Sequence, residues 1–126
     1  MSNIVHFEIC VDDLPSAARF YANVFRWTVE QSPADANYWL ITTGSETDPG
    51  IGGALTGRFD DLNPTINTIE VESVDLSARK IVEEGGKILA PKIKVDGTGH
   101  VQYCQDPEGN TFGIVEFDDS ANSEMS

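Results

Sequence analysis

The stretch Ile4-Val5-His6-Phe7-Glu8-Ile9-Cys10-Val11, running into Asp12-Asp13-Leu14-Pro15, decides the fold. Val5, Phe7, Ile9 and Val11 fall on one face of an extended chain, and His6, Glu8 and Cys10 on the other. Strict alternation of this kind predicts a strand that packs on one side and presents chemistry on the other. Asp13 is then placed to cap a helix, with Pro15 tolerated in its first turn. Ala17, Phe20, Tyr21, Val24 and Phe25 recur at helical spacing, giving that helix a broad aromatic face. Strands are predicted next over residues 27–31, 38–43 and 52–56.

The same order then begins again. An offset of 62 residues lays Asp13-Leu14 on Asp75-Leu76, Glu8 on Glu70, Ile9 on Val71 and His6 on Thr68. Residues 65–71 read as a strand, and Asp75 as the cap of a helix over 76–84 that Gly85-Gly86 stops. Strands are predicted over 87–95, 100–105 and 112–117, the last two joined by the turn Asp106-Pro107-Glu108-Gly109-Asn110. The pattern is βαβββ twice, an α+β chain. Repeat one spans about 3–57, a polar linker 58–64, repeat two about 65–117 and an acidic tail, expected to be disordered, 118–126. Neither half could bury its sheet face alone, so the expectation is a single domain in which two βαβββ modules form an incomplete eight-stranded barrel with a cleft.

The chain has 126 residues, 8 Lys and Arg against 21 Asp and Glu, and a net charge of −13. Such a charge repels phosphate backbones and anionic lipid surfaces, so neither nucleic acid nor membrane is an expected partner. With 40% hydrophobic residues the chain is nevertheless a folding one. The first residues do not read as a secretory leader, no apolar run approaches spanning length, and Cys10 and Cys104 form no Cys-x-x-Cys pair. The expectation is a cytoplasmic protein with buried thiols.

Several motifs, in order, resemble the vicinal oxygen chelate superfamily, the group of glyoxalase I, bleomycin-resistance proteins and extradiol dioxygenases. They are Val5-His6-Phe7-Glu8-Ile9 with Asp12-Asp13-Leu14, Ala18-Arg19-Phe20-Tyr21, Val24-Phe25-Arg26-Trp27, Gly85-Gly86-Lys87 and Asp106-Pro107-Glu108-Gly109-Asn110. The resemblance is to the small glyoxalase-related members. It implies two βαβββ modules around a U-shaped cleft, a small organic ligand and a homodimer. It also implies a divalent metal held by four side chains, one from the first and one from the last strand of each repeat. His6 falls on the first such position, but its repeat mate is Thr68, and Gly113 stands where the family places Glu. Residues 52–56 offer neither carboxylate nor imidazole. One imidazole does not hold a divalent ion against water, because catalytic sites use about three protein donors. No cofactor is firmly implied, and a divalent metal remains a secondary reading.

The candidate site is therefore read from the face of His6. Glu8 and Glu70, mates in the repeat, are candidate acid and base groups, since neighbouring carboxylates drive one pKa towards working pH. His6, Thr68, Trp39, Tyr103 and Gly113 are candidate ligand contacts, with Phe112 a further aromatic wall. The alternation Tyr38-Trp39-Leu40-Ile41 leaves open which ring points inward. His100 has no family role and is expected in solvent. The leading function is a glyoxalase-related protein that binds or converts a small organic molecule without the full metal site. One alternative is a metal-dependent lyase, isomerase or dioxygenase using His6 with Glu8 or Glu70. The other is a non-catalytic, dimeric ligand-binding protein.

Overall fold

Strand β1 (Ile4–Val11) keeps the alternation of its sequence: Phe7, Ile9 and Val11 pack into a core, while Glu8 and Cys10 are buried from the other side. The computed structural model describes residues 2–45, 47–57 and 65–118. Its contacts divide the chain into a unit of residues 5–66 and a unit of residues 67 onward with the first four. The expected linker 58–64 and tail residues 119–126 lie outside the described residues. Asp118 is described, and its N–H donates to the Thr98 carbonyl at 2.9 Å.

In the first unit β1 leads into helix α1 (Leu14–Phe25), then strands β2 (Thr28–Gln31), β3 (Tyr38–Thr42) and β4 (Gly52–Gly57). The strands lie in the order β2-β3-β4-β1, with β4 parallel to β1 and the other pairs antiparallel. Asp13 caps α1 as expected, accepting the Ser16 N–H at 3.0 Å. The helix ends at Arg26, whose φ of 63° lies in the left-handed region. For a residue with a Cβ that conformation costs roughly 1–2 kcal/mol, which is why glycine usually stands there. Ala18 faces Ile41 and Leu55, and Phe7, Ile9, Trp27 and Trp39 close around them. Leu55 is fully buried, so truncating it to Ala would cost on the order of 2–5 kcal/mol.

The second unit repeats the plan: β5 (Thr65–Glu70), α2 (Val74–Glu83), β6 (Lys87–Ile88), β7 (Ile93–Val95), β8 (Gly99–Gln105) and β9 (Thr111–Phe117). Strand β9 runs parallel to β5 and antiparallel to β8, and both β6 and β7 pair with β8. Val74, Cys104 and Ile114 form its core. The α+β class and the doubled βαβββ order are thus as the sequence predicts.

Two local expectations differ. The cap of α2 is Ser73, whose hydroxyl accepts the Leu76 N–H at 3.1 Å, and not Asp75. Asp75 sits in the first turn, where the helix dipole favours a negative charge, and pairs with Lys92 at 3.1 Å. The strand predicted over 87–95 is broken at residues 89–92. Pro91 has no N–H for a ladder, and the Gln102 side chain takes up the Ala90 carbonyl at 3.0 Å. The end of α2 follows its glycines, with Gly85 at a φ of 96°.

Candidate functional site

The alternation of β1 puts His6 and Glu8 on the face opposite α1, and the register of the sheet adds a third group. Cys10 and Tyr38 both pair with Thr56, one from each side, so the Tyr38 side chain shares the His6 face. The Tyr38 hydroxyl donates to Glu8 Oε2 at 3.2 Å and lies 2.9 Å from His6 Nε2. The tyrosine has one proton to give and gives it to the carboxylate. The imidazole Nε2–H therefore donates to the tyrosine oxygen, leaving Nδ1 as the ring's acceptor. Glu8 Oε2 is 3.8 Å from His6 Nε2, close enough to balance a proton taken up by the ring. Glu8 is 7% exposed, whereas the His6 side chain is 30% exposed. An accessible imidazole is thus backed, through one hydroxyl, by a buried carboxylate.

In the second unit Thr68 and Tyr103 both pair with Gly113, and Glu70 pairs with Val115. These residues share the face opposite α2. A Cβ on Gly113 would stand 3.2 Å from Thr68 Oγ1 and 3.7 Å from a Tyr103 ring carbon, so the glycine leaves room between them. The register is echoed in the first unit, where His6 pairs with Gly52. In both modules the first-strand position faces a glycine on the last strand.

Of the residues singled out in the sequence, His6 and Glu8 are brought together, and Thr68, Tyr103 and Gly113 form a second group. Glu8 belongs to the first unit and Glu70 to the second. Trp39 is not with His6: it lies on the α1 side, packed against the core, and its indole N–H donates to the Ala36 carbonyl at 3.0 Å. Phe112 likewise packs against the α2 core. His100 is not a solvated loop residue but lies in β8, across from Glu116, with a buried Nδ1 that has no hydrogen-bond partner among the described residues. Both cysteines are buried and neither forms a disulfide, and burial pushes the Cys104 thiol up to about 11, away from nucleophilic use. The residue that sequence reasoning missed is Tyr38. Its signal was the parity of the 38–41 alternation, which only the pairing of β3 with β4 fixes.

The donor set does not fit the family's divalent metal. Gly113 brings no donor, Thr68 a poor one, and His6 Nε2 is already engaged by Tyr38. Among the described residues no group of three or more His, Cys, Asp or Glu could hold a metal ion. Nor is any helix among them long and apolar enough to cross a membrane.

Comparison with known proteins agrees with this architecture. Methylmalonyl-CoA epimerase from Mycobacterium tuberculosis superposes with a TM-score of 0.67 at 15% identity, covering 95% of this chain and 91% of that one. A glyoxalase/bleomycin resistance protein/dioxygenase superfamily member from Vibrio splendidus 12B01 gives 0.66 at 16% identity, covering 92% and 99%. A single-substitution variant of the Streptomyces coelicolor methylmalonyl-CoA epimerase, in complex with 2-nitronate-propionyl-CoA, gives 0.64 at 14%, covering 93% and 98%. At these identities the likeness is one of fold. No curated protein matches the chain in sequence. The model of the Glyoxalase/Bleomycin resistance protein/Dioxygenase superfamily matches residues 3–114, and the chain belongs to that superfamily.

Proposed function

We propose that this chain binds a small organic molecule on the face of His6, Glu8 and Tyr38 and moves a proton on it. The observation that carries this reading is the continuous path from His6 Nε2 through the Tyr38 hydroxyl to Glu8 Oε2. The substrate is a carbon acid, a compound with a C–H bond beside a carbonyl. His6 Nδ1 accepts that proton while the Nε2 proton passes to the tyrosine oxygen and the tyrosine proton to Glu8. The positive charge does not build up on the imidazole, and the electron pair of the broken C–H bond stays on the substrate as an enolate. Returning the proton through Tyr38 and His6 to a neighbouring carbon completes an isomerisation, and delivery of a proton from water to the opposite face of the enolate completes an epimerisation. The relay supplies the base for this step from the chain's own residues. The epimerases among the structural neighbours share only the fold, and the proposal stands on the relay.

The test is deuterium wash-in. A panel of small aldehydes, ketones, 2-oxo acids and aromatic carbonyl compounds is incubated with the protein in D2O and followed by proton NMR. At least one compound should exchange its α-proton, and His6→Ala should lower that rate by roughly 10²- to 10⁴-fold, the usual contribution of a positioned base. Compounds that raise the melting temperature without exchanging overturn the proton-transfer reading and leave the chain a binding protein.

A further inference from the structure

The two helices of the repeat expose complementary surfaces. On α1, Phe20, Val24 and Phe25 are each more than half exposed, flanked by the exposed Arg19 and Arg26. Residues 14–26 hold these two arginines and no acid, a charge of +2. Neither arginine forms an ion pair among the described residues. Arg26, moreover, occupies the left-handed position at the helix end, where backbone conformation alone favours glycine.

On α2 the exposed apolar groups are Leu76 at 62% and Val82 at 55%. Here Glu72, Asp75, Glu83 and Glu84 outweigh Arg79 and Lys80, for a charge of −2 over residues 72–84. Lys92 engages Asp75 and Lys80 engages Glu84, so Glu72 and Glu83 are the acids without an ion pair among the described residues. Exposed apolar side chains rimmed by charge mark association surfaces, and aromatic and arginine side chains are enriched there.

From this pairing we infer that the exposed face of α1 in one copy of the chain docks on the exposed face of α2 in a second copy. Arg19 and Arg26 meet Glu72 and Glu83, and the aromatic rings cover Leu76 and Val82. The inference is independent of the proton-transfer reading, since neither face includes His6, Glu8 or Tyr38. It also explains how a chain of charge −13 can self-associate: local attraction acts at contact distance, while the net repulsion is screened beyond about 8–10 Å at ordinary salt.

Charge reversal with exchange of partners tests it. One variant carries Arg19→Glu and Arg26→Glu, the other Glu72→Lys and Glu83→Lys. All four positions are exposed, and circular dichroism verifies that each variant folds. In sedimentation velocity the native chain should form a dimer or larger assembly at micromolar concentration. Each variant alone should associate at least about tenfold more weakly, because like charges then face each other. An equimolar mixture of the two should regain association, since each reversed face then meets its complement. A native chain that stays monomeric overturns the inference, as do variants that associate like the native chain or a mixture that stays dissociated. Phe20→Ser and Leu76→Ser, each expected to weaken association alone, read the apolar part of the same contact if a reversed variant fails to fold.

Discussion

Replacing Tyr38 by Phe removes one oxygen atom from the site and keeps the ring. That oxygen bridges His6 Nε2 at 2.9 Å and Glu8 Oε2 at 3.2 Å, so its loss deletes two hydrogen bonds together. A bond between neutral groups contributes about 0.5–1.5 kcal/mol and one to a charged group about 1.5–3 kcal/mol. The bond to Glu8 is long and the His6 ring partly exposed, which places both at the low end. The expected cost is about 2 kcal/mol, or roughly 6–10 °C in Tm for a chain of this length. Urea denaturation followed by fluorescence measures it. A double-mutant cycle with Glu8→Gln isolates the pair, and coupling of about 1 kcal/mol is expected for groups in direct contact. Tyr38→Phe within about 0.3 kcal/mol of the native chain, or additive with Glu8→Gln, would refute the relay as a coupled unit.

Three further outcomes follow from packing and titration. A Cβ at Gly53 would stand 2.5 Å from the Phe7 carbonyl oxygen and 2.7 Å from its ring, so Gly53→Ala should destabilise by about 1–3 kcal/mol or more in thermal melts. The Cys104 thiol, raised from 9.0 to about 11 by burial, holds its proton longer in the folded than in the unfolded chain. Its contribution is complete below pH 9 and is lost as pH rises towards 11, about 2–3 kcal/mol in all, and Cys104→Ala should remove that alkaline limb from a stability–pH profile. Glu116 Oε1 accepts the Val74 N–H at 2.9 Å, tying β9 to the start of α2. Glu116→Gln should cost about 0.5–1 kcal/mol in urea denaturation, more at low salt, because the helix dipole loses its facing charge.

The alternation of residues 4–11 and the matching 65–71 carried the doubled module because period-two burial is a local property of each strand. The cap at Asp13 was legible because Pro15, two residues on, belongs in a first helical turn and fixes the start, whereas the second cap was misassigned where Ser73 and Asp75 competed within three residues. The break at 89–92 is set by Pro91 together with a side chain from another strand, and only the proline is visible locally. For the site, His6 and Glu8 were readable because they stand two apart on one strand. Tyr38 was not, since its place beside them depends on how β3 registers against β4, a contact between distant segments. The same dependence put Trp39, one residue on, on the opposite face.

The glycines on the last strand of each module bear on how this chain can change over time. Gly53, next to the glycine opposite His6, is locked by the backbone of Phe7. A Cβ on Gly113, opposite Thr68, would stand 3.2 Å from the Thr68 hydroxyl oxygen and 3.7 Å from the Thr68 methyl and a Tyr103 ring carbon, all of them side-chain atoms. A side chain at position 113 therefore asks neighbouring side chains, and not the backbone of the strands, to give way by a few tenths of an ångström. At Gly52, the equivalent glycine opposite His6, a Cβ would stand 3.3 Å from the Ile41 carbonyl oxygen, a backbone atom, so the second module yields the more readily on its site face. New chemistry enters such a chain most readily where a position on the site face carries only hydrogen, because the scaffold around that point is already built and already stable.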